Sequence, residues 1–191
     1  MKRRSTLAFL AAASAIPSAA RAQAKRLPRL CLLTFDSEAS DGRRYSTFFD
    51  RLRALGHIDG QTITIDWLSS STRQADFSIL AEECVRNRVD LIVGVTTPAA
   101  TAAKRATSTI PIVTLAIGDP VGSGLVDNLA RPGINLTGTT TLAPAMRVKG
   151  LELLKQAVPG LKRVMVLTYA SDPISRVQVD ALRQAAPALG V

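Results

Sequence analysis

The sequence predicts an α/β fold, a doubly wound parallel sheet with helices on both faces. Three observations carry that expectation. Short, almost wholly apolar runs recur along the chain, as they do in strands covered on both sides. Between them lie stretches with apolar residues at helical spacing, and strict alternation of the two patterns calls for right-handed crossovers. Helix-starting residues then recur just after the apolar runs, at one edge of the expected sheet.

The elements follow in order. LCLLTF (30–35) is a short buried strand, and RRYSTFFDRLRAL (43–55) a helix with Phe48, Phe49, Leu52 and Leu55 on one stripe. Gly56 stops that helix, and TITIDW (62–67) alternates as the second strand. Residues 75–88 place Leu80, Cys84 and Val85 on a helical stripe; DLIVGV (90–95) is the third strand, and an alanine-rich helix runs through Thr107. PIVTLAI (111–117) is the fourth strand, with Pro111 first, where no ladder donor is missed. A short helix is expected over Gly124–Ala130, ended by Arg131-Pro132-Gly133, and INLTGT (134–139) is the fifth strand. MRVKGLELLKQAV reads as a helix, KRVMVLTY (162–169) as a sixth strand, and ISRVQVDALRQAAPAL as the last helix. The sequence stops where a further strand would begin, and so looks cut short.

The first residues belong to a different kind of segment. MKRR precedes the apolar LAFLAAASAI, and Ala20-Arg21-Ala22 forms a small-x-small cleavage signature ahead of Gln23. Residues 1–22 are read as a secretory signal by the general route, since Ser5-Thr6-Leu7 fits a twin-arginine signal poorly. With no cysteine at a lipidation distance, the expected location is the periplasm, free of a lipid anchor. Removing Lys2, Arg3, Arg4 and Arg21 lowers the formal charge from +9 to +5. The remaining cations are scattered among acids and aromatics make up only 4% of the chain, so a nucleic-acid surface is not expected. No later apolar stretch is long enough to cross a bilayer. Cys31 and Cys84, in a core strand and on a helix, are expected as two separately buried small hydrophobes, although export would permit a disulfide.

At the carboxyl ends of the strands one device recurs. Thr97-Pro98, Asp119-Pro120 and Asp172-Pro173 each set a capping side chain before a proline suited to the first helical turn. Three helix N-termini on one edge would present free N–H groups and partial positive charge to an anion, with a carboxylate the natural guest. Gly118, Gly122 and Gly124 keep the backbone slim there. Ordinary capped βα turns would use the same residue types, and the residues alone leave the two readings about level. No dinucleotide or phosphate-loop glycine motif is present, the lone His57 sits in a turn, and metal ligands at recognisable spacing are missing. Enzymatic chemistry, cofactor and metal are therefore not expected.

RALGHIDGQTITIDW, TIPIVTLAIGDPVGSGLVDNLARPGINLTG and KGLELLKQAVPGLKRVMVLTYASDP together resemble the tryptophan/tyrosine-type substrate-binding proteins of ABC transporters. The resemblance runs from about Arg29 to the end of the chain. It implies a type I periplasmic-binding fold of two lobes closing on a ligand. Residues 29–140 would form lobe one, and 141–191 the hinge crossing and an incomplete start of lobe two, with Thr139-Thr140-Thr141 as the crossing. The ligand's amino-acid end would meet Thr96, Thr97, Pro98, Gly118 and Asp119. Asp36, after the first strand, would line the cleft, with Tyr169, Ser171 and Asp172 facing it from lobe two. Asp119 is open to two roles, capping its own helix or meeting a ligand ammonium. The implied function is capture of a small carboxylate-bearing solute, of which amino acids are the family's example. Delivery would be to an ABC membrane permease, the binding protein acting as a monomer. Presenting the ligand to a sensor kinase or chemoreceptor is the alternative, as is a non-functional fragment. Relatives of this kind continue well past the point where this sequence stops, and closure about a hinge needs both walls of the cleft.

Overall fold

The structure, a computed structural model, describes residues 26–35, 43–70, 76–132, 135–170 and 172–191. The expected signal segment, together with Asp36 and Ser171, lies outside the described residues. Five strands form one parallel sheet: β1 (Arg29–Thr34), β2 (Thr64–Ser69), β3 (Leu91–Gly94), β4 (Ile112–Ile117) and β5 (Leu136–Thr140). Their spatial order is β2-β1-β3-β4-β5. The helices are α1 (Ser46–Ala54), α2 (Asp76–Arg86), α3 (Thr97–Ala106), α4 (Ala143–Ala157) and α5 (Pro173–Ala185), with a 3₁₀ turn at Pro187–Leu189.

The pleat explains the double winding. Cys31, Leu33 and Ile92 point to one face and pack with Phe77, Ala81 and Cys84 of α2 and Ala99 and Ala103 of α3. Leu30, Leu32 and Val93 point to the other face and meet Phe49 of α1 and Trp67 of β2. Phe49 and Trp67 lie 5.2 Å apart between ring centroids, and Phe77 meets Phe35 edge-on at 4.7 Å. A strand apolar at successive positions has two apolar faces, and needs cover on each side of the sheet. β1 meets that condition, and pairs with both β2 and β3 in the middle of the sheet.

Several expectations are corrected. β2 begins two residues later than expected, because Thr62 is held in the preceding turn. Its hydroxyl accepts from Ile58 N at 2.7 Å and donates to Gly56 O at 2.6 Å. On α2 the buried stripe is Phe77, Ala81 and Cys84, with Leu80 and Val85 only half-buried. Leu55 lies exposed beyond the end of α1. The expected helix over Gly124–Ala130 is a turn followed by irregular chain. Gly124 has φ +71°, which a right-handed helix excludes, and Lys104 Nζ donates to Gly124 O and Leu125 O at 3.0 and 2.9 Å.

The expected sixth strand is not formed. Residues 162–169 are exposed throughout and have no ladder partner among the described residues. Apolar alternation favours a strand only when a neighbour offers backbone groups to pair with.

The two cysteines are bonded to one another. The Cys31–Cys84 disulfide joins β1 to α2 across a sequence separation of 53, with the Cα atoms 6.2 Å apart. Both residues are fully buried, so they are core residues as expected, but not separate ones. Closing a loop of that length in the unfolded chain contributes about 4 kcal/mol on a chain-entropy basis.

Candidate functional site

The carboxyl ends of β3 and β4 converge on one junction. At Gly94 an added Cβ would lie 3.1 Å from Ala100 N and Cα, so the bare backbone lets the first turn of α3 sit close against β3. The N-cap of α3 is Thr96 rather than Thr97, and Pro98 falls in the first turn as expected. The first turn of a helix leaves N–H groups that the helix cannot satisfy, and here Thr97 and Ala99 carry them. The Thr97 hydroxyl accepts from Gly118 N at 3.3 Å, which ties the start of α3 to the end of β4. Thr96 Oγ1 is buried and has no hydrogen-bond partner among the described residues.

Gly118 is the hub of this edge. Its carbonyl accepts from Ala143 N at 2.8 Å, at the first residue of α4. Ile117 O accepts from Thr141 N at 2.7 Å and from the Thr140 hydroxyl at 3.1 Å, so the 139–141 segment is stitched to β4. Against Gly118 sits Ile174 of α5, where an added Cβ would come within 2.6 Å of Ile174 Cγ1. Sequence reasoning missed Ile174, since nothing distinguishes it from any other apolar residue of an amphipathic helix.

The three capping pairs do not behave alike. Asp172 caps α5, accepting from Ile174 N at 3.2 Å. Asp119 caps a turn and starts no helix, its Oδ1 accepting from Val121 N at 3.1 Å and Gly122 N at 2.9 Å. Of the two roles open to Asp119, the local one is therefore occupied. Of the three pairs only two start a helix, α3 and α5, while α4 also begins at this edge, its Ala143 N–H bound to Gly118 O.

Comparison with known proteins gives the family and the fold. The family described as ABC transporter substrate binding protein matches residues 33–191. The chain belongs to that family. It is 37% identical over 135 residues to the tyrosine-binding protein of Clostridioides difficile, a match covering 71% of this chain and 39% of that one. Among solved structures, a conserved domain protein of Vibrio cholerae superposes with a TM-score of 0.79 at 28% identity. The ABC domain of Streptococcus pneumonia in complex with L-Trp does so at 0.74 and 31%. These cover 87% and 86% of this chain, and 55% of each of the others. A leucine-binding protein of Thermotoga maritima, at 15% identity and TM-score 0.62, shares the fold over 86% of this chain and 47% of its own. The fold is thus the type I periplasmic-binding one. The chain spans about half the length of the structures it matches, and less of the tyrosine-binding protein.

Within this member of the family the remaining candidates are spread out. Tyr169 is exposed and serves through its backbone, its carbonyl accepting from Asp172 N at 3.0 Å. A hollow of about 280 Å³ lies beside α5, lined by Thr168, Ser175, Arg176, Asp180 and Arg183 among others. It shares no residue with the Thr96–Gly118 junction, and its arginines lie 3.9 and 3.6 Å from Asp180. A second hollow, of about 150 Å³, runs along β5 past Thr114, Gly138 and Thr140. Among the described residues no helix is long and apolar enough to cross a membrane, and no cluster of His, Cys, Asp or Glu could hold a metal.

Burial pushes the Asp172 carboxyl above its ordinary value, and the Ile174 N–H, which favours the charged form, offsets only part of that. A raised folded pKa favours the protonated form of the folded chain. The resulting stability is full below the unfolded value of 3.8 and is lost as pH rises through the folded one. Asp172→Asn, which keeps the cap without the charge, is expected to lose this component. Its melting temperature relative to wild type should rise as pH climbs from below 3.8 through the weakly acidic range. A difference that stays flat with pH would mean the carboxyl is not desolvated.

Proposed function

We propose that this chain provides the ligand-receiving edge of an extracytoplasmic solute-binding protein for an ABC importer. The solute is a small carboxylate-bearing molecule of the amino-acid class. The observation that carries this is the buried Thr96 hydroxyl at the N-terminus of α3, without a partner among the described residues. A buried hydroxyl without a partner costs on the order of 1–3 kcal/mol, a cost that a ligand oxygen accepting from it would remove. Beside it lie the Thr97 and Ala99 N–H groups and the positive end of the helix dipole, all suited to a carboxylate. Asp119 supports this edge as a positioning residue, holding the turn after β4. Pro98 and Gly118 shape it, Asp36 would line it from the same lobe, and Tyr169, Ser171 and Asp172 would approach from across the cleft. The tyrosine-binding relative and the tryptophan complex favour an amino acid with an aromatic side chain. Mechanism is capture between residues 29–140 and the segment beyond the Thr139–Thr141 crossing, followed by presentation to the membrane permease. No bond of the solute is made or broken.

The test is NMR titration of the purified chain with L-tyrosine, L-tryptophan and the corresponding amines lacking the carboxylate. The acids should shift the amide signals of residues 96–99 and 118, and the amines should not. Thr96→Val should weaken binding about tenfold or more, while leaving the melting temperature unchanged or higher, since it removes an unsatisfied hydroxyl from the free protein. Equal binding of acid and amine would rule the carboxylate reading out.

A further inference from the structure

Cys31 and Cys84 both have 0% exposure, and the groups around them are apolar: Leu33, Phe77, Ala81 and Ile92 on the same face of the sheet. Thiol–disulfide exchange needs the attacking sulfur, the attacked sulfur and the leaving sulfur nearly in line, and so needs a reagent to reach the site. No disulfide-bearing oxidant can reach either sulfur while α2 lies on β1. We propose that the Cys31–Cys84 bond is a latch, set while α2 is still off the sheet and then sealed by the core that closes over it.

The reaction balances with one oxidant, a protein or small molecule carrying a reactive disulfide. The thiolate of one cysteine attacks that disulfide, forming a mixed disulfide and releasing one thiol. The second thiolate attacks the sulfur of the first and displaces the other thiol. Two electrons and two protons pass to the oxidant, and the chain gains its bond. Such oxidants act where exported proteins fold, so the latch ties completion of this core to an oxidising compartment. The bond encloses the chain between β1 and α2, which includes α1 and the edge strand β2. Edge elements have the fewest partners, and the latch ties one end of this segment to β1 and the other to the helix packed on it.

Sealing has a kinetic signature. Reduction of the native protein must wait for α2 to open, so its rate reports that opening rather than the chemistry of the reductant. The measurement uses the unmodified chain produced by export. Thiols are counted after denaturation without reductant, and reduction by excess dithiothreitol is then timed in native buffer and in urea. No free thiol is expected, with reduction at least about a hundredfold slower in native buffer than in urea. The reduced chain should melt roughly 10 °C below the oxidised one. Two free thiols would overturn the proposal, as would native reduction at the unfolded rate or a melting temperature indifferent to reduction.

Discussion

Gly138→Ala is expected to cost about 3–4 kcal/mol of stability, one of the largest effects of any single methyl in this chain. Gly138 pairs with Thr114 in the β4–β5 ladder, one step before the register shifts. Beyond that step Leu115 and Ala116 on β4 stand opposite Thr139 alone, a bulge in which Ala116 takes φ +56°. Gly138, beside the bulge, takes φ +151°, a conformation that a side chain disfavours. An added Cβ would fall on the Thr114 carbonyl oxygen and hydroxyl, and within 2.6 Å of its nitrogen. Those are mostly backbone atoms of a buried strand between Ile112 and Ile117, so no rotamer change relieves the clash. Either β4 shifts in the core or β5 lets go. Urea denaturation measures the loss directly, as a lower midpoint with the slope unchanged. A loss below about 1 kcal/mol would mean that β5 does not pair with β4 in this register.

How much of this the sequence disclosed depends on whether a feature is a property of one segment. β1, β3 and β4 were legible because each is a short apolar run, while β2 was read from its alternation and β5 from its place between turn signals. KRVMVLTY has the same composition and is no strand, because a strand also needs a partner whose presence no local pattern records. Gly124–Ala130 misled for a related reason. Leu125 and Val126 are indeed buried, as a helix face would be, but the chain around them is fixed by Lys104, distant in sequence. The disulfide depended on where α2 sits along β1, which spacing cannot give. In the candidate site the capping threonine was placed one residue too far along. Thr96 and Thr97 are alike in sequence, and only their surroundings make one a partner of Gly118 and leave the other without one among the described residues.

Gly118→Ala should separate structure from binding most sharply. The new Cβ would lie 2.6 Å from Ile174 Cγ1, 3.2 Å from its Cδ1 and 3.4 Å from Ala143 Cβ. Gly118 cannot retreat, since its N–H is held by Thr97 and its carbonyl by Ala143. The element able to yield is α5, whose Ile174 is buried against the junction. A loss of about 2 kcal/mol is expected, with α5 displaced from the start of α3. On the proposed function the same displacement removes Asp172 from the cleft and should weaken solute binding at least about tenfold. Ile174→Ala added to Gly118→Ala makes room for the methyl. The double variant should therefore be more stable than the sum of the two single losses predicts, by about 1 kcal/mol or more. Additive losses would show that the two residues do not touch. Stability recovered without binding would show instead that Ile174 itself, and not merely the placing of α5, belongs to the ligand's surroundings.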